Sequence, residues 1–458
     1  MPEVYNRPFG IAINRTNGRE QGVIENSPLL PPAAHSLRQT DHITEDNMHI
    51  NSLCYRSRSM HDFSLQRPGF IPRHLSQAWR AILAFLLGSY LNCLFFLVPL
   101  GIIAGMFSRH PNTVFTINLL AIIPLANTAS FATTEISLNL NDTLGGLFQA
   151  ISGNVIELII CITALQDNQI AVVQSAILGS VLSNLLLVKG MCFFLGGIFN
   201  MRDRDGQGKE QIFASATSQT TRSLMTLSSA SLILPATFYL VFDKAEAKEK
   251  EHAILHLSRG TAIVLLSLYL QYLWFQLNTH TNLFSTEIQY DEEEVQGSVF
   301  NLPAAIFLFI VTSGLVTLCA GFIVTNIEHV VSTTRFNYVL VGTFLIPVAN
   351  NSAEYIVAVR MAVKNKMDLA IGIAIGSSIQ AVLFVKPLLV ILGWAVLDKP
   401  MTLHFETDEV AVFMFTVLVT YAIQDGRSNY LQGSMLPGFY SIILLIYLVS
   451  PIDAMDKV

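Results

Sequence analysis

"GNVIELII" at residues 153–160 and "NNSAEYIV" at 350–357 share one skeleton: an Asn, two intervening residues and a Glu, set in apolar sequence. Residues three apart lie on one helix face, so Asn154 sits beside Glu157 and Asn351 beside Glu354. A lone carboxylate among hydrocarbon side chains is energetically costly, so its presence there needs a reason. The likeness runs further. Gly179-Ser180 and Gly376-Ser377 follow 22 residues after each Glu, and Lys189 and Lys386 follow 32 residues after. Three coincident offsets mark an internal duplication.

The surrounding chain is that of an all-α integral membrane protein. Of its 458 residues 52% are hydrophobic and 13% charged, and the mean hydropathy is +0.50. An ordinary soluble domain carries about 25% charged residues. The net charge of -6 and the lack of a basic tract speak against a nucleic-acid partner; the partner is the lipid bilayer. Cys54, Cys93, Cys161, Cys192 and Cys319 are odd in number and mostly intramembrane, so they read as small core hydrophobes. Nothing in the sequence suggests a cofactor. No nucleophile–His–acid arrangement or metal-protease motif stands in the membrane region, which disfavours an enzyme.

A membrane span needs about 20 mostly apolar residues. Such stretches fall near 81–107, 113–134, 143–165, 170–198, 219–242, 253–278, 301–325, 338–363, 367–397, 408–424 and 434–450, about eleven transmembrane helices in all. They divide into a leading helix (79–107), a first five-helix repeat (113–278), an acidic linker (279–300) and a second five-helix repeat (301–450), before a short tail (451–458). The linker carries Glu287, Asp291, Glu292, Glu293 and Glu294 and reads as either a solvated connector or a cation-capturing segment. With five spans per repeat, the second inserts upside down relative to the first. Inverted repeats of this kind typify secondary transporters, whose site lies near the midplane where the repeats meet.

Residues 1–78 are polar and read as a disordered N-terminal tail; the first 80 residues hold nine Arg and no Lys. Glu25 precedes Leu29-Leu30 in an acidic dileucine pattern of the kind used for sorting to vacuoles or lysosomes, which a floppy tail also produces by chance. The balance of Lys and Arg at loop ends modestly favours a cytosolic N-terminus.

If the repeats face each other, Glu157 and Glu354 converge with amide, hydroxyl and carbonyl oxygens. The candidate contributors are Asn154, Asn351, Ser180, Ser183, Ser377, Ser378 and Gln380. Gly153 is expected to loosen the helix just before the first pair. An all-oxygen site with two carboxylates suits a hard divalent cation. The same pair can be neutralised by protons instead, which would couple the two as cation/proton antiport. A sodium-coupled transporter would need similar residues. The bland alternative, a helix–helix hydrogen-bond partner, fits one such Glu better than two in register. Asn141 and Asp142 read as interfacial caps.

At these residues the chain resembles the cation/proton exchanger branch of the calcium/cation antiporter superfamily, most closely the fungal vacuolar calcium/proton exchangers. The resemblance runs from about residue 80 to 450. It includes "LAIIPLA" (120–126), "DTLGGL" (142–147), "SAILGSVLSNLLLV" (175–188), "LHLSRGTAIVLL" (255–266), "KMDLAIGIAIGSSIQAVLFV" (366–385) and "PMTLHF" (400–405). It implies a multi-pass vacuolar membrane protein that exchanges Ca²⁺ for H⁺, with Glu157 and Glu354 as the central ion and proton ligands.

Departures from the family pattern are informative. Asn350 stands where the family has a helix-loosening Gly, Tyr355 where it has a His, and Gly321 where an acidic residue is common. Lys189 and Lys386 replace uncharged residues, about 15 Å along the helix from each Gly-Ser at ~1.5 Å per residue. Such lysines either snorkel or pair with carboxylates, or act as tethered cations in selectivity or gating. The alternatives to calcium/proton exchange are therefore a paralogue for Mn²⁺ or a monovalent cation, and a non-transporting regulatory homologue.

Overall fold

Duplicated sequence produces duplicated backbone. A computed structural model describes residues 94–107, 110–202, 206–213, 223–234, 247–281, 300–334, 336–405, 407–423 and 426–449. The expected N-terminal tail, the dileucine pattern, the acidic residues of the linker and the C-terminal tail lie outside these residues. In chain order the helices are α1 (Leu97–Phe107), α2 (Pro111–Leu138), α3 (Asp142–Ser152), α4 (Val155–Gln166), α5 (Ile170–Phe199), α6 (Ser223–Leu234) and α7 (Ala247–Trp274, with a further turn Phe275–Thr279). They continue as α8 (Leu302–Thr333), α9 (Tyr338–Asn350), α10 (Ser352–Val363), α11 (Met367–Leu397), α12 (Thr407–Ala422) and α13 (Tyr430–Val449). Two short strands, β1 (Gln211–Ile212) and β2 (Arg427–Ser428), pair antiparallel.

A constant offset of 197 residues relates the two halves. It carries α4 onto α10 and the start of α5 onto the start of α11. Asn168 and Asn365 follow α4 and α10 with left-handed backbone, at φ 62° and 63°. Asn accepts that conformation, which a β-branched residue would resist, and it reverses the chain into the next helix. Both following helices then contain a π-helical turn, Ser183–Val188 in α5 and Ala381–Val385 in α11. Such a turn admits an extra residue and shifts the face presented by everything after it.

Seven helices among the described residues are long and apolar enough to cross a membrane, α3 and α4 counting together as one. Shorter apolar helices stand at Leu94–Phe107, Ser223–Leu234 and Tyr338–Asn350. The expected spans at 143–165 and 338–363 are each interrupted at an Asn, and the expected 301–325 extends to Thr333. In the most apolar window of α5, 78% of residues are buried, against 28% for α7, α8 and α13. Helix α5 is therefore central. The outer helices present Phe307, Ile310, Leu318, Leu445 and Ile446 outwards, as contact with hydrocarbon requires.

Packing crosses between the halves. Helix α8 lies along α2, α13 on the second part of α5, and α7 on the second part of α11. Cys161, Cys192 and Cys319 are buried free thiols, in keeping with their reading as core residues. Lys189 and Lys386 are both fully buried, so neither snorkels.

A close backbone approach between two site helices is made at Gly179, where a Cβ would stand 2.2 Å from the Thr343 carbonyl oxygen of α9. Only glycine lets α5 and α9 meet there, and backbone cannot yield as a side-chain tip can. Gly179→Val is expected to cost about 1–3 kcal/mol or prevent assembly, read as a lower melting temperature and less folded protein in detergent.

Candidate functional site

The site begins where two helices break. Asn154, between α3 and α4, has φ -100° and ψ 23°; Asn351, between α9 and α10, has φ -92° and ψ 6°. Gly153 itself is helical, with φ -55° and ψ -41°. The expected loosening at glycine is thus not where the chain departs from the helix, and the second repeat breaks equally well with Asn350 in the glycine's place. Neither Asn caps its own helix with its side chain. Instead Asn154 Nδ2 donates to Gln380 Oε1 at 2.9 Å, and Asn351 Nδ2 donates to Ser180 Oγ at 3.1 Å. Each bond joins the break in one repeat to the long helix of the other.

These breaks put both acids at helix starts. Glu157 lies in the first turn of α4 and Glu354 in the first turn of α10. The N–H groups of a first turn lack intrahelical partners and carry partial positive charge, which favours a carboxylate. Ser377 Oγ donates to Glu354 Oε2 at 2.8 Å. Glu157 is buried, and neither of its oxygens has a hydrogen-bond partner among the described residues. Ser180, whose oxygen accepts from Asn351 Nδ2, is the hydroxyl beside it. A buried carboxylate with both oxygens unbonded is rare in a folded protein and asks for a ligand.

Ser183 completes a chain of bonds. Its hydroxyl donates to the Ser180 carbonyl at 3.1 Å and accepts from Tyr355 Oη at 2.7 Å; Tyr355 Oη also lies 3.3 Å from the Pro347 carbonyl. Asn154 is thus tied to Gln380, Asn351 and Ser183 to Ser180, and Ser377 to Glu354, while Glu157 stands without a hydrogen bond among the described residues. Ser378 instead donates to the Ala374 carbonyl of its own helix. Asn141 accepts from the Leu144 amide as the expected cap, while the Asp142 side chain lies outside what is described. Among the described residues no three His, Cys, Asp or Glu side chains gather as a metal cluster. A cation here would meet two carboxylates and neutral oxygens.

Two residues were missing from the expected set. Tyr355 lies four positions after Asn351, one helical turn on, and that spacing was the available signal. Asn350 is buried with neither amide atom hydrogen-bonded, and only its place beside the break marked it. The lysines go elsewhere. Lys189 Nζ lies over the Phe193 ring, 5.5 Å from its centroid. Lys386 Nζ donates to the Leu403 carbonyl at 3.0 Å and sits over Phe405.

A helical membrane protein with duplicated, broken helices and one acid from each at a shared oxygen-lined centre has the build of a secondary cation transporter. The chain belongs to the sodium/calcium exchanger protein family, whose model matches residues 110–278 and 304–449. It is 40% identical over 367 residues to the vacuolar calcium ion transporter of Schizosaccharomyces pombe, covering 80% of this chain and 86% of that one. It is 35% identical over 370 residues to vacuolar cation/proton exchanger 1 of Arabidopsis thaliana, covering 80% and 78%. Among solved structures, the Ca²⁺/H⁺ antiporter protein YfkE superposes with a TM-score of 0.64 at 27% identity, over 78% of this chain and 100% of that one. The H⁺/Ca²⁺ exchanger CAX shares the fold, with a TM-score of 0.56 at 14% identity over 82% and 89%.

The phenol of Tyr355 is a cross-repeat tie that can be removed without changing volume. Tyr355→Phe is expected to lose about 0.5–1.5 kcal/mol of stability, the usual worth of one hydrogen bond. Thermal unfolding of the purified variant beside the unmodified protein checks this.

Proposed function

We propose that the protein is a secondary active antiporter that exchanges a divalent cation, Ca²⁺, for protons across the vacuolar membrane, with its N-terminus in the cytosol. The observation that carries the proposal is the buried Glu157 carboxylate, with no hydrogen bond to either oxygen among the described residues and a matching acid, Glu354, in the other repeat. Two carboxylates in a place of low polarisability are stable together only when neutralised. A divalent cation neutralises both at once, and two protons do so one at a time. The two loads exclude each other, and a bundle that rearranges only when its centre is neutral must carry one in exchange for the other.

In this reading Glu157 and Glu354 hold the cation and the protons. Asn154, Asn351, Ser180, Ser183, Ser377 and Gln380 supply neutral oxygens or hold those that do. Hard cations such as Ca²⁺ take six to eight oxygens in flexible geometry, and amide and hydroxyl groups on four converging helix segments suit that need. The breaks at Asn154 and Asn351 free backbone that lines the centre and faces no lipid. The divisions at 79–107, 113–278, 279–300 and 301–450 are proposed as the leading helix, first repeat, linker and second repeat. Membership in the exchanger family and the names of the yeast and plant relatives support calcium, protons and the vacuole.

Glu157→Gln and Glu354→Gln are each expected to abolish proton-driven calcium uptake into vesicles while leaving folded protein in place. Uptake that survives either change rejects the role assigned to that acid. The same vesicles offered Mn²⁺ and Na⁺ report which cation is carried.

A further inference from the structure

Each acid-bearing helix runs outward from the centre to one of the two left-handed asparagines, and each of these is held by the other repeat. Helix α10 carries Glu354 in its first turn and ends at Val363, a length of about 18 Å for its 12 residues. Asn365 follows. The last carbonyls of a helix have no intrahelical partner. Here they are taken by the segment that follows α5 in the first repeat. Gln211 Nε2 donates to the Ala362 carbonyl at 3.1 Å and to Asn365 Oδ1 at 2.8 Å. Asn200 Nδ2 donates to the Val363 carbonyl at 3.1 Å. Gln211 is buried, and β1 pairs it with Ser428 just ahead of α13. The approach is close: a Cβ at Gly196 of α5 would stand 2.6 Å from Gln211 Oε1 and 3.1 Å from the Ala362 carbonyl oxygen.

The first repeat ends its acid-bearing helix in the same way. Helix α4 carries Glu157 and ends at Gln166, and Asn168 follows. Lys399 Nζ, in the 398–405 loop after α11 of the second repeat, donates to Asn168 Oδ1. That loop is itself tied down. Gln174 Nε2 of α5 donates to Thr402 Oγ1 at 3.2 Å, and the Leu403 amide donates to Ser258 Oγ of α7 at 3.0 Å. Asn168 precedes the 30 residues of α5 and Asn200 follows them, so the two holds lie at opposite ends of that helix. The acceptor asparagine is duplicated at the 197-residue offset, but the donors are not. Arg202 stands at the place of Lys399, and Asp408 at the place of Gln211. Two unrelated donors meeting one duplicated acceptor are not a by-product of copying.

We propose that Gln211 and Lys399 are positioning residues. Gln211 clasps the outer end of α10 and Lys399 that of α4, each from the opposite repeat, and the two clasps fix where Glu354 and Glu157 stand when the cation binds. The link to transport rests on the function proposed above; the clasps themselves do not.

Gln211→Met removes the amide donor at nearly constant volume, and Asn365→Gly removes the acceptor while keeping the left-handed backbone available. These two and their pair are made in the full-length protein, beside Lys399→Met, Asn168→Gly and their pair. Lys399→Arg, which keeps N–H donors, completes the set. Each is reconstituted for calcium uptake under an imposed pH gradient and purified for thermal unfolding. Each of the four single changes that breaks a clasp is expected to raise the KM for calcium about threefold or more, the worth of a lost hydrogen bond, with the maximal rate per folded molecule within about twofold of the unmodified protein. Each pair is expected to be no worse than its worse single variant, because both changes remove one shared bond. Lys399→Arg is expected to keep the KM of the unmodified protein. A KM unchanged in both Gln211→Met and Lys399→Met overturns the proposal, even where their melting temperatures fall. Pairs whose effects add overturn the clasps. If the unmodified protein moves no calcium, the proposed function fails, while the melting temperatures of singles and pairs still decide the clasps.

Discussion

Two acids must be held in the middle of an apolar bundle without being stranded there, and that constraint organises the rest of the molecule. The chain meets it by interrupting one helix in each half just before the acid, so that each carboxylate sits on a first turn whose amides favour negative charge. The interruption would leave backbone groups unbonded if it faced lipid. Instead it is packed at the centre, and the Asn at each break spends its side chain on the opposite half. The bonds that shape the site are therefore also bonds between the halves.

Duplication gives the site its paired acids, but its neutral groups are not paired. Under the 197-residue offset Asn350 answers to Gly153, Tyr355 to Leu158 and Gln380 to Ser183. Glu354 is bonded to Ser377, while Glu157 is unbonded although Ser180 stands in the equivalent place. Ser180 Oγ accepts from Asn351 Nδ2. The charges of the centre are thus matched between the repeats while its neutral oxygens are not.

The lysines illustrate how context changes the meaning of a charge. On sequence alone, Lys189 and Lys386 share an offset from the acids and read as lysines that either snorkel or pair with carboxylates, or act as tethered cations on transport. In the fold the contacts seen are not equivalent: Lys386 holds a loop carbonyl and a ring, and Lys189 lies over Phe193. The loop held by Lys386 touches three helices, two of them lining the centre.

Composition and periodicity alone determined that this is a helical membrane protein, because some twenty apolar residues in a row permit little else. The repeated Asn-x-x-Glu, Gly-Ser and Lys spacings determined that it is doubled, and they named both acids and most of their neighbours, since residues three apart on a helix share a face wherever that helix lies. Tertiary structure alone decided where the helices break. The Asn side chains gain more by bonding across the repeats than by capping locally, and that choice depends on what stands opposite. It also decided that Tyr355 ties to Ser183, that Ser378 turns back to its own helix, and that the lysines stay buried. Each is a partnership between residues far apart in the chain, and spacing along a chain carries no record of what lies across a bundle.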